Sequence, residues 1–199
     1  MLTFRVKDLA AESAAAGQTV LPEELNGVSV VIESADGVAR SAGISWVTPD
    51  AVSFVLPADL PAGEARVTVM RAGQPAAAAG IPIRPAAPAL FPPEFGALLW
   101  TSRDGEARRD ALAVIRPGEA AEPLTLVRYG TGFPSRPQRL AASLHDTPLE
   151  VLGARPQGDV PGLDELHIAL PPDFPFRGLL TLAVSLDDAP LTPLVLRVE

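Results

Sequence analysis

No cysteine occurs among the 199 residues. Disulfides, thiolate metal sites and a cysteine nucleophile are therefore excluded. Lysine is nearly missing, with Lys7 alone among the 16 basic residues. These face 24 acidic residues, giving a formal net charge of −8. Such an acidic chain is a poor partner for nucleic-acid phosphates. Aromatics are few (seven Phe, two Trp and one Tyr) and there are two histidines. No apolar run approaches the ~18–20 residues of a membrane-spanning helix, so no membrane insertion is expected. The opening Met1–Ala10 holds Arg5, Lys7 and Asp8 and lacks the apolar core of a signal peptide.

What is abundant is apolar residues, 47% of the chain, together with 22 prolines and 16 glycines. That content is too apolar for disorder. The length suits one large or two small domains, each able to bury a core. Short β-branched runs alternate with turn signals every 8–12 residues or so, the cadence of an all-β sandwich. Leu25–Glu33 reads as one run, followed by the hairpin signal Asp36-Gly37. Ile44–Val47 closes on Thr48-Pro49-Asp50, a turn because proline fixes φ. Ala51–Leu56 and Glu64–Met70 alternate with period two, one face for a core and one for water. Helical signals are thin: Ala10–Ala16 reads as at most a helical turn or a loop, and Gly105–Ala113 has helical propensity cut off by Pro117-Gly118.

An internal repeat is the most informative pattern. Val52–Leu56, the corner Pro57-Ala58-Asp59-Leu60-Pro61, Gly63 and the strand Ala65–Val69 recur as Leu166–Leu170, Pro171-Pro172-Asp173-Phe174-Pro175, Gly178 and Leu179–Val184. Each is followed by a turn and a last strand, near Ile81–Ile83 or Leu194–Val198. Two similar β-sandwich domains follow, at 1–86 and 89–199, joined by the stiff Arg84-Pro85-Ala86-Ala87-Pro88 segment.

Several motifs appear in a recognisable order. They are Leu25-Asn26-Gly27-Val28-Ser29-Val30, Trp46-Val47-Thr48-Pro49, Ala87-Pro88-Ala89-Leu90-Phe91, Gly96-Ala97-Leu98-Leu99 with Asp104-Gly105, Arg116-Pro117-Gly118-Glu119 and Leu124–Gly132. In that order they resemble an uncharacterised family of C-terminal regions of secreted bacterial proteins, abundant in acidobacteria. The resemblance implies two tandem immunoglobulin-like β-sandwich domains and an extracellular or cell-surface setting. It implies no catalytic residues, because the family has no established activity. Met1-Leu2-Thr3-Phe4 begins just inside the family's opening strand, Ala89 stands near an expected glycine, and Phe133 replaces a leucine. A first strand supplied by a neighbour is then an expectation.

Candidate chemistry is sparse. His167 lies on an alternating strand facing away from Leu166, Ile168 and Leu170, and His145 sits at a strand-to-turn position. No Gly-x-Ser-x-Gly elbow accompanies them, so no catalytic triad is expected. The acidic stretches Arg103-Asp104-Gly105-Glu106 and Asp187-Asp188 lack calcium-loop alternation and read as turns. Gly130-Thr131-Gly132 is followed by Phe133-Pro134-Ser135-Arg136-Pro137, which cannot open a phosphate-binding helix, so the glycines read as a tight corner. The arginine sets 103, 108, 109 and 128, 136, 139 read as solvated faces. Trp46, Trp100 and Tyr129 are the candidate stacking platforms for a sugar. The chain is expected to be non-enzymatic, without cofactor or metal. It would work through a protein partner or self-association, with glycan binding as the alternative.

Overall fold

A computed structural model describes the chain except at residues 18, 92–96, 102–106, 111–113, 116–123, 134–138 and 188; strands 97–101, 107–110 and 114–115 are described by backbone alone. All regular structure among the described residues is β. Four sheets divide between two compact units, Met1–Pro85 with Gly158–Gly162, and Ala86–Gln157 with Leu163–Glu199. The fold class is all-β, in two sandwich units.

In the first unit one sheet runs β1 (Leu2–Arg5), β7 (Ala51–Val55), β6 (Gly43–Thr48), β2 (Ala14–Ala15). Its other sheet runs β3 (Glu24–Leu25), β4 (Val28–Glu33), β8 (Gly63–Arg71), β9 (Gln74–Ile83), with β5 (Ala39–Ser41) on β4. Period-two alternation sends Val28, Val30, Ile32, Val67 and Val69 of one sheet against Ile44, Val47, Val52 and Phe54 of the other, all 0% exposed. Each such side chain contributes ~1.5–3 kcal/mol by leaving water. Phe4 packs on Phe54 with ring centroids 5.6 Å apart.

Turn chemistry sets the registers. Asp36-Gly37 turns β4 into β5, with the Gly37 N–H on the Ser34 carbonyl and Gly37 at φ +73°. Pro49-Asp50 links Thr48 to Ala51 as expected. The Leu25–Glu33 run is not continuous: Asn26 and Gly27, at φ +52° and +74°, form a two-residue hairpin between β3 and β4. Asn-Gly is the pair best able to take two successive positive φ values, and that signal outweighs the apolar run around it. Ala10–Ala16 holds no helix; Ala14 and Ala15 instead pair with Val47 and Trp46.

The second unit repeats the plan with more strands. One sheet runs β12 (Ala107–Asp110), β11 (Ala97–Thr101), β14 (Leu124–Thr131), β18 (Asp164–Leu170), β17 (Val151–Pro156), with β10 (Ala89–Leu90) also on β14. The other runs β13 (Val114–Ile115), β21 (Leu194–Val198), β19 (Gly178–Leu186), β15 (Leu140–Leu144), β16 (Thr147–Leu149), with β20 (Ala189–Pro190) on β19. The core centres on Leu126, Leu144, Leu166, Ile168, Leu182 and Leu196. Ala107–Asp110, expected to favour a helix, is extended and pairs with β11; residues 105, 106 and 111–113 of that stretch lie outside the described ones. Local helical propensity of a few tenths of a kcal/mol per residue yields to tertiary strand pairing.

The sequence repeat maps strand for strand. β7 and β8 correspond to β18 and β19, and the Pro-Asp corner between them places Leu60 and Phe174 against the two cores. Even the irregularities match: the hairpins β6–β7 and β17–β18 each carry a bulge, at Ile44/Trp46 and Val151/Gly153.

Candidate interaction surfaces

The three candidate stacking aromatics do not form one platform. Trp46 lies on β6 between Ala15 of β2 and Ser53 of β7, on the face away from Ile44 and Val47, and is half-buried. Thr3 of β1 continues that outer row beside Ser53, whose hydroxyl donates to the Leu2 carbonyl at 3.3 Å. Trp100 and Tyr129 belong to the second unit. Trp100 sits at the register position of Thr125, and half-buried Tyr129 lies four residues further along β14, opposite Glu165.

The histidines are placed as the alternation predicts. His167 faces away from the core, with Nε2 3.0 Å from the Glu165 carboxylate, while Arg155 Nε approaches the same oxygen at 3.6 Å. His145 is a turn residue at φ +54°, its half-exposed ring edge-on to Phe176 at 5.1 Å. Among the described residues no three His, Asp or Glu side chains converge as a metal-ligand set. No helix among them is long and apolar enough to cross a membrane.

Gly130 and Gly132 are a corner, and the geometry says why glycine is needed. A Cβ on Gly132 (φ +75°) would meet the Ala87 carbonyl oxygen at 2.4 Å, and one on Gly130 would meet the Ala89 carbonyl oxygen at 2.6 Å. The chain entering the second unit thus lies directly on β14, and the Ala87 N–H donates to the Gly132 carbonyl. Asp164 closes the same corner by accepting the Phe133 N–H at 3.1 Å; burial raises its carboxyl pKa.

Arg128 corrects the solvated-face reading. It is 2% exposed, donating from Nη1 to the Thr192 carbonyl and from Nη2 to the Phe91 carbonyl. Burial pushes the guanidinium down to about 10, still charged at neutral pH. Its parity with Leu124 and Leu126 along β14 was the available signal, since alternate residues of a strand share a face. Arg139 is exposed as expected, Arg108 and Arg109 lie on β12, and residues 103 and 136 lie outside the described ones.

In the first unit the polar constellation is Arg40. Its Nε donates to Asp59 at 2.9 Å, Nη2 to Asp36 at 2.9 Å, and Nη1 to the Ser34 hydroxyl at 2.8 Å. The Asp36 carboxyl is held well below the usual range, mainly by the Arg40 hydrogen bonds. The network ties the β4–β5 turn to the Pro-Asp corner; it is a fastening between loops.

The sheet edges differ sharply. Most are blunted as soluble proteins blunt them. β2, β3 and β13 have two residues each, and β5 and β16 have three. β1 carries Arg5, β12 carries Arg108, Arg109 and Asp110, and β17 has a bulge, Arg155 and Pro156. β9 differs in length and charge, with ten residues, none charged, and pairing to β8 alone among the described strands, though Pro75, Pro82 and a register shift at Ala76 interrupt it. Its core-side Ile81 and Ile83 stay half-exposed, whereas Leu196 and Val198 of the corresponding β21 are 0% and 1% exposed.

No family model and no curated protein matches the chain. Among solved structures it is similar to the titin Ig tandem domains A164–A165, at 11% identity over 99% of this chain and 95% of that one, with a TM-score of 0.30. It is also similar to a beta-glycosidase from Bacteroides vulgatus, at 14% identity over 94% of this chain but 24% of that one, with a TM-score of 0.27. Neither likeness bears on function.

Proposed function

We propose that the chain is a non-enzymatic structural or adhesive module of a secreted or cell-surface bacterial protein, working through protein–protein contacts or self-assembly. The observation that carries this reading is β9, a ten-residue edge without charge, where every other edge among the described strands is shorter. An open edge of this kind is a template for strand pairing. The polar groups around Arg40, Arg128 and Asp164 fasten turns and corners, and His167 and Arg155 meet Glu165 across the β17–β18 pair. The extracellular setting rests on the ordered motifs from Leu25 to Gly132 and their resemblance to exported bacterial regions.

Trp46 supports a second reading, a carbohydrate-binding accessory module. A partly exposed indole on the outer face of β6, in the row that continues through Ser53 to the exposed Thr3, is the kind of side chain on which a sugar ring stacks. Light scattering over a wide concentration range, with electron microscopy of the most concentrated sample, separates the two. Growth beyond the 20.8 kDa monomer supports the structural reading. A strict monomer whose fluorescence changes with polysaccharide, and loses that response in Trp46→Ala, replaces it with the second.

A further inference from the structure

We infer that β9 pairs with β9 of a second copy of this chain, antiparallel about a two-fold axis near Ala78 and Ala79; this rests on the self-association reading above. Three observations point to it. The second unit shows that this edge position accepts a strand, because β13 lies parallel on β21, the counterpart of β9. On β9 no such cover exists among the described strands, and Ile81 and Ile83 remain half-exposed for want of it.

The second observation is charge. All ten residues from Gln74 to Ile83 are uncharged. Two copies of this edge therefore meet without like-charge repulsion, despite a net charge of −8 on each chain. β1, also open, has only four residues and carries Arg5.

The third is the ladder itself. Pro82 faces Glu64 in an unbroken register from Ala77 to Ile83. Having no N–H, proline fits a paired strand only where the N–H would point away from the partner. Residues two and four positions back share that direction, so Gly80 and Ala78 aim their N–H and C=O groups at the free edge. Toward the free edge Ala78 and Gly80 offer both N–H and C=O while Pro82 offers only its carbonyl, so a second strand bonds over this short stretch beyond the register shift at Ala76. Pairing one strand edge buries well below the ~1,200 Å² of a standard interface, so the dimer is weak and concentration-dependent.

Sedimentation from micromolar to millimolar concentration tests this with four chains. The wild type should rise from 20.8 kDa toward twice that mass. Ala78→Lys and Ala78→Pro should associate more than about tenfold more weakly or not at all, because the two-fold doubles each change into two edge charges or two lost strand hydrogen bonds. Both leave the β8 ladder intact, as native Pro82 does, and circular dichroism checks the fold; should the proline variant unfold, the lysine variant carries the test. Leu152→Lys, exposed on β17, should associate like the wild type. Dimers that survive both Ala78 variants overturn the β9 assignment and leave the self-association reading standing. A wild type that stays monomeric throughout overturns both.

Discussion

The two units share a strand plan and differ at its margins. In both, a hairpin (β6–β7 or β17–β18) carries a bulge and flanks one strand of the same sheet (β1 or β14), while the facing sheet runs from β4 to β9 or from β15 to β21. The second unit adds β11 on β14 and β13 on β21. These additions cover the two positions left open in the first. Exposure follows the cover: Leu124 and Leu126 of β14 are buried, whereas Leu2 and Phe4 of β1 are half-covered. The second sandwich carries a further strand at each of these two positions, and the first ends there. The lesson is that an edge is a property of strand count, and the same alternating sequence serves either condition.

A tryptophan in each unit lets the comparison be broken one side at a time. With Trp46→Phe or Trp100→Phe backgrounds, urea unfolding reads each unit separately. The largest effect should come from paired glycine substitutions. Gly132→Ala places a Cβ on the Ala87 carbonyl at positive φ, and should destabilise the second unit by about 3 kcal/mol or more. Gly27→Ala, at φ +74° with open space around it, should cost the first unit only about 1 kcal/mol. Equal costs would mean that close approach, the feature distinguishing the two positions, has no weight.

Arg128→Ala comes next. It removes two donors from the Phe91 and Thr192 carbonyls and leaves a cavity, for an expected loss of about 2–3 kcal/mol in the second unit alone. The smallest effect belongs to Asp36 and Arg40, which are largely screened by solvent. Asp36 has a folded pKa below its unfolded one, so its contribution is complete above about pH 4 and fades as pH falls toward the lower folded value. The first unit should therefore lose more stability on acidification than its Asp36→Asn variant does, in urea titrations at pH 7 and pH 3.

Much of the fold was legible because alternation and turn chemistry are local. The repeat of a strand, a Pro-Asp corner and a strand is enough to align β7–β8 with β18–β19. Asn26-Gly27 was legible too, and was hidden only by reading the apolar run around it as continuous. Arg128 resisted because composition places arginine at surfaces, and only its phase along β14 contradicts that. The β9 edge resisted for a deeper reason. Nothing in Gln74–Ile83 says that no strand lies beyond it; that depends on where the rest of the chain goes. Of the stacking aromatics, spacing along the sequence revealed nothing about which share a sheet; strand register alone puts Trp100 and Tyr129 on neighbouring strands, four residues apart.

The parallel pair β13–β21 has a mechanical meaning. It joins a strand near the start of the second unit to the strand that ends it. Once the preceding strands β10 to β12 are drawn out, tension on the ends of that unit acts along this pair in opposite directions, so its bonds are sheared together instead of being opened one after another. In the first unit, β1 and β9 belong to different sheets and no such clasp joins them. At that stage of extension the second unit still holds a sheared clasp where the first has none among its described strands.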